Sequence, residues 1–175
     1  MTLNKEAVTQ GPSWNLSTEY SGPLDPNIDV DLAALAQSLD DIEALNPLLA
    51  VQIQRGEVGM VEEAMPAIEA ARRIHLLSEQ AWPLLANPRT LAVCLLSVNS
   101  QDEAVQVLQG ALQAVQKRYN EALATLGQFL EIVSDEVIDE YLNHEDTRAA
   151  EFEVRHARVR RHELLGLAEE NMAQA

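Results

Sequence analysis

One cysteine, Cys94, stands in a chain of 175 residues, so no internal disulfide framework can brace the fold. Its place in the apolar run Leu91-Ala92-Val93-Cys94-Leu95-Leu96 reads as a buried, inert thiol. Aromatic residues are scarce. Trp14, Tyr20, Trp82, Tyr119, Phe129, Tyr141 and Phe152 are the full set, so the core has to be built from Leu, Ala, Val and Ile. Glycine and proline number seven each and long stretches contain neither. An all-β chain would need a turn signal about every 8 to 12 residues, which excludes that class. Basic residues are few: 12 against 28 acids give a formal net charge of -16. That excess repels polyanions, and neither nucleic acid nor an anionic membrane surface is an expected partner. No apolar run approaches the roughly 18 residues of a membrane span, and Met1-Thr2-Leu3-Asn4-Lys5-Glu6 lacks the basic stretch and apolar core of a secretory signal. A cytoplasmic location is the expectation by elimination.

What is present is helical period. Residues 1–27 carry Gly11, Gly22, Pro12, Pro23 and Pro26 and show none, so they read as an extended N-terminal arm whose Trp14, Leu16, Tyr20 and Leu24 lie across a surface. From residue 28 to 175 the chain reads as one all-α domain, an antiparallel bundle of long helices. Ile28, Leu32, Leu35, Leu39, Ile42 and Leu45 step by three and four, predicting a first helix over 28–46 that Pro47 kinks or ends. A loop is expected over Gln54 to Gly59. A second helix begins near residue 64, with Pro66 in its first turn, and ends near Pro83. A shorter one covers 88–98 after Asn87. The strongest pattern is Val105, Leu108, Leu112, Val115, Tyr119, Ala122, Leu126, Phe129 and Val133, a regular a/d seam predicting one long helix over 102–133. Ser100 and Glu103 form an S-x-x-E capping box at its start. Ser134 opens a short helix to Leu142, Thr147 opens another to about Glu163, and Leu164 to Ala175 look like the first turns of one more.

No catalytic constellation is visible. A zinc peptidase needs two histidines one turn apart with a glutamate between them. His144-Glu145-Asp146-Thr147-Arg148 and His162-Glu163-Leu164-Leu165-Gly166 both lack the second histidine. His156 and His162 are six apart, about 120° from a shared helix face. They read as solvated surface residues, and His75, on the apolar side of the second helix, as a satisfied core or rim histidine. The cluster Arg155-His156-Ala157-Arg158-Val159-Arg160-Arg161 is flanked by Glu151, Glu153 and Glu163, so ion pairing along the helix surface is its plain reading. Gly56 and Gly59 lack the spacing and lysine of a phosphate loop, no G-x-S-x-G is present, and Asp40-Asp41 and Glu62-Glu63 read as solvated faces. No catalytic, cofactor-binding or metal residue is assigned.

Three stretches in order resemble the N-terminal region of oligoendopeptidase F-type zinc metallopeptidases, the thimet-oligopeptidase-like family. Pro12-Ser13-Trp14-Asn15-Leu16-Ser17 with Tyr20 is similar to its P-x-W-D-L-[ST] opening, with Asn15 where aspartate is usual. The run from Leu85 to Ala104 resembles its apolar helix, polar turn and following long helix. Phe129 through Ser134, Tyr141-Leu142, Phe152 and Arg155 to Arg161, up to Leu167-Ala168-Glu169-Glu170, resembles helices that end in an L-S-x-x-E-E-like phrase. The family's H-E-x-x-H helix lies in a later portion not contained here, so zinc is implied only for that portion and none of its ligands for this chain. The resemblance implies a non-catalytic helical lobe that shields a channel and restricts access to short peptides. The implied partner is the catalytic portion of a longer chain, or a second copy of this one in a weak homo-oligomer. The alternative is a stand-alone interaction or dimerisation module using the 105–133 seam as its partner surface.

Overall fold

A computed structural model describes residues 19–56 and 60–163, with side chains as far as residue 159. Trp14, Leu16 and the tail from Leu164 lie outside the described residues. The six helices are α1 Pro26–Arg55, α2 Val61–Val98, α3 Glu103–Ile132, α4 Asp135–Leu142, α5 Glu145–Arg148 and α6 Glu151–Glu163, and no strand occurs among the described residues. The all-α expectation holds.

The bundle is built on α1, α2 and α3. Arg118 of α3 pairs with Asp40 and Glu43 of α1, and Asn46 donates to the Ala122 carbonyl one turn further along both helices, so α1 and α3 run parallel. The α2 helix lies antiparallel to them, with Arg89 bonded to Gln116 at one level and Ser78 receiving the Tyr119 hydroxyl at another. The α3 seam is the spine of the core: Val105, Leu108, Leu112, Tyr119, Ala122, Leu126, Phe129 and Val133 are buried and Val115 packs against them. It faces Leu35, Leu39, Ile42 and Leu49 of α1 and Ile68, Ile74 and Leu85 of α2, all fully buried.

The helix boundaries depart from the sequence expectation wherever proline was read as a stop. Proline removes one helical hydrogen bond and crowds the carbonyl four residues earlier, a cost of about 3 kcal/mol in isolation. Tertiary packing offsets it. α1 continues through Pro47 because Leu49 and Gln52 beyond it are buried and Asn46 before it is anchored to α3 through a 2.9 Å bond. α2 begins at Val61, which puts Pro66 inside the helix, and it runs without interruption through Pro83 and Pro88, since Leu85, Leu91 and Ala92 all enter the core. The expected loop from Gln54 is likewise shorter. Helix persists to Arg55, and the chain leaves it at Gly56, whose φ of 68° suits glycine and whose N–H donates back to the Gln52 and Ile53 carbonyls.

Caps are also reassigned. Asp102, not Ser100, caps α3, its carboxylate accepting from the N–H groups of Ala104 and Val105. Ser134 caps α4 as expected. Thr147 does not open a helix; it lies buried within α5, and its hydroxyl donates to the Tyr141 carbonyl at 2.6 Å. At the other end of the chain Tyr20 is buried and donates a 2.6 Å hydrogen bond to Asp31, pinning the end of the arm on α1. Burial first, and then this bond, raise the phenol's pKa.

Candidate functional site

The residues that sequence reading weighed for chemistry do not converge. His144 is the N-cap of α5, its Nδ1 accepting from the Asp146 N–H. His156 stacks on Phe152 at 5.6 Å on the outer face of α6. His75 is half-buried with Nε2 3.5 Å from the Glu79 carboxylate, within ion-pair reach but without a hydrogen bond, so it is a rim histidine and not a satisfied one. The side chain of His162 lies outside the described residues. Among the described residues no three His, Cys, Asp or Glu side chains stand close enough to hold a metal ion. Cys94 is partly exposed, against the expectation of a buried thiol.

Of the basic cluster, Arg155 and Arg158 are engaged by the fold. Arg158 donates to the carbonyls of Leu130, Glu131 and Val133 and to the Asp135 carboxylate, so it closes the C-terminal end of α3, where unpaired carbonyls and the helix dipole favour a cation. Arg155 bridges Asp139 of α4 and Glu151 of its own helix, and both carboxylates raise its pKa. Ion pairing was the expected reading; the carbonyl capping was not, because the sequence does not reveal which helix end an arginine meets. Arg72 does the same for α4. It is buried and donates to the Glu140 and Tyr141 carbonyls while its guanidinium pairs with Glu69 and Glu140.

Apolar side chains stand exposed on the α2–α3 hairpin. α2 is the one helix among the described residues long and apolar enough, by length and composition, to cross a bilayer, yet only 28% of its most apolar stretch is buried. Its first half is covered by α4, which reaches it at Arg72 and His75. Over 81–98 the buried residues are Ala81, Leu85, Pro88, Leu91 and Ala92, whereas Trp82, Val93 and Val98 stand exposed, Val98 at 87%. Across the α2–α3 turn Val107 is 74% exposed. A groove of about 230 Å³ lies between the two helices here, lined by Arg89, Val93, Leu112 and Gln116 among others. At 100° per residue Trp82 and Val93 share one side of α2, while Val98 lies about 140° round the helix from Val93.

No family model matches the sequence, and comparison with curated proteins and with solved structures gave no significant match. The structure defines an all-α bundle of six helices among the described residues.

Proposed function

We propose that this chain is a non-catalytic helical lobe of an oligoendopeptidase F-like metallopeptidase, which docks on the catalytic portion, walls its channel and restricts access to short peptides. The observation that carries the reading is the uncovered outer half of the α2–α3 hairpin, with Trp82, Val93, Val98 and Val107 exposed on helices whose other faces are core. A lobe that lies against a larger body needs such a face. The family assignment itself rests on the sequence phrases around Trp14, Leu85 to Ala104 and the α6 region. In this reading zinc and its ligands belong to the catalytic portion, and this chain contributes shape and surface.

The stand-alone alternative loses its original surface. The 105–133 seam is consumed inside the bundle, so a dimerising module would have to pair through the same exposed hairpin. One experiment separates the two. The purified chain is mixed with the catalytic portion of an oligoendopeptidase F-type enzyme and followed by light scattering, beside Val98→Asp. A one-to-one complex that Val98→Asp abolishes, with the variant's melting temperature unchanged, supports the lobe. Self-pairing with no affinity for the catalytic portion favours the alternative, and a strict monomer that ignores it contradicts both.

A further inference from the structure

α6 carries two apolar lines, and the bundle uses one of them. Among its described side chains, residues 151–159, only Val154 is buried and only Arg158 is half-buried. A helix of 13 residues is marginal in water without apolar burial, and this one has a single inward apolar anchor beside the carbonyl bonds of Arg158. At 100° per residue Phe152, His156 and Val159 fall within about 60° of one another, centred about 170° round the helix from Val154. Phe152 is 80% exposed and Val159 57%, and the Phe152 and His156 rings stack at 5.6 Å. Arg148, Ala149 and Arg155 line the same shallow groove. The stripe faces away from the bundle.

Charge selects the occupant. The chain carries a net -16, yet Glu151–Glu163 holds four arginines and three glutamates, a net +1, so this face lacks the repulsion that the rest of the surface imposes on a second copy. The signs are also ordered. Glu151 and Glu153 open the helix, and Arg155, Arg158, Arg160 and Arg161 follow. Parallel pairing would set like against like, whereas antiparallel pairing about a twofold axis sets the acidic first turn of each copy beside the arginine positions of the other and opposes the two helix dipoles. In the register that centres such a pair, position 152 meets position 159 of the second copy. Positions 153 and 160, about 20° apart around the helix, share the flank that the twofold axis brings together.

We infer that α6 is a self-association surface on which a second copy of this chain docks antiparallel, each Phe152 against His156 and Val159 of the other copy and each Glu153 beside position 160. A contact confined to one helix per copy falls short of the roughly 1,200 Å² at which standard interfaces begin, so the dimer is weak and concentration-dependent. It is independent of the lobe reading, which uses the α2–α3 hairpin.

The test is sedimentation over a concentration series of the parent chain, Phe152→Asp, Glu153→Arg, Arg160→Glu, the double change Glu153→Arg with Arg160→Glu, and Val98→Asp, with thermal melts showing that each is folded. The parent should dimerise reversibly. Phe152→Asp should raise the Kd about tenfold or more, because an aromatic anchor is lost from both copies. Each single charge reversal should raise it roughly fivefold, since the exposed pair occurs twice, and the double change should return it to the parental value. Val98→Asp should leave it unchanged. If Phe152→Asp fails to fold, the charge exchange still decides. A monomer at every concentration, pairing that survives Phe152→Asp, a double change as weak as either single one, or pairing lost in Val98→Asp overturns the inference.

Discussion

Arg72 and Arg118 each hold two carboxylates, and their different surroundings give them different worth. The Arg72 side chain is 8% exposed and that of Arg118 is 38% exposed. Replacing Arg118 with methionine keeps most of the aliphatic packing and releases Asp40 and Glu43 into water. Exposed pairs of this kind contribute about 0.5–1 kcal/mol, and the loss should be of that order. Arg72→Met is a different perturbation. Its carboxylate partners also regain water, since Glu69 is well exposed and Glu140 partly so, but two carbonyls at the end of α4 lose a charged donor inside the bundle. The Tyr141 carbonyl keeps the Thr147 hydroxyl at 2.6 Å, and that of Glu140 keeps only the Asn143 N–H at 3.2 Å, which it shares with the Asp139 carbonyl. A hydrogen bond from a charged donor contributes about 1.5–3 kcal/mol, so Arg72→Met should cost about 2–3 kcal/mol. For a chain of this length that is a fall of roughly 5–10 °C in melting temperature, against roughly 1–3 °C for Arg118→Met. Because Arg72 and Thr147 share one acceptor, Arg72→Met combined with Thr147→Val should lose more than the sum of the single changes. Urea denaturation of the four proteins, followed by circular dichroism, measures all of this. Equal losses for Arg72→Met and Arg118→Met would refute the argument that burial decides the value of these contacts.

Asp102→Ala should destabilise by about 1 kcal/mol and Ser100→Ala by a few tenths at most, because only Asp102 caps α3; denaturant midpoints distinguish the two. Gly110→Ala should stabilise by about 0.8–1 kcal/mol, since Gly110 sits inside α3 and an added Cβ meets nothing within 4 Å; an unchanged or lower midpoint contradicts this. The Asp25 carboxylate, N-cap of α1, has its pKa lowered by hydrogen bonds from the Ser21 and Asn27 N–H groups and the Ser21 hydroxyl. A lowered folded pKa stabilises above the ordinary carboxylate value and the contribution vanishes as pH falls through the folded one. The difference in stability between the parent and Asp25→Asn should therefore shrink in acid, which denaturation at a series of pH values checks.

The core of α3 was legible because its seam repeats every three and four residues from Val105 to Val133 and every member but Val115 is buried. Helix ends were less legible. Pro47, Pro83 and Pro88 carry a local penalty that the sequence displays, while the burial of Leu49, Leu85 and Leu91 that offsets it depends on neighbours far along the chain. Ser100 and Asp102 both suit a cap, and periodicity cannot separate two candidates two residues apart. The contacts of His75 and the exposure of α2 were hidden for the same reason. Nothing near His75 in the sequence announces Tyr141, and the apolar run through Val93 reads as core unless one knows that α4 covers only the first half of α2. Capping of α3 by Arg158 was equally out of reach, since a charge cluster shows its sign and not its target.

The lobe reading is tested most directly by isolating the native protein through this chain, under non-denaturing conditions, and identifying by mass spectrometry the polypeptides recovered with it in stoichiometric amount. The account predicts a peptide containing H-E-x-x-H, either continuous with this chain or in a polypeptide bound to it, and its loss or dissociation when Val98 is changed to Asp in the separate-chain case. Recovery of the 19.3 kDa chain with no H-E-x-x-H polypeptide would contradict it.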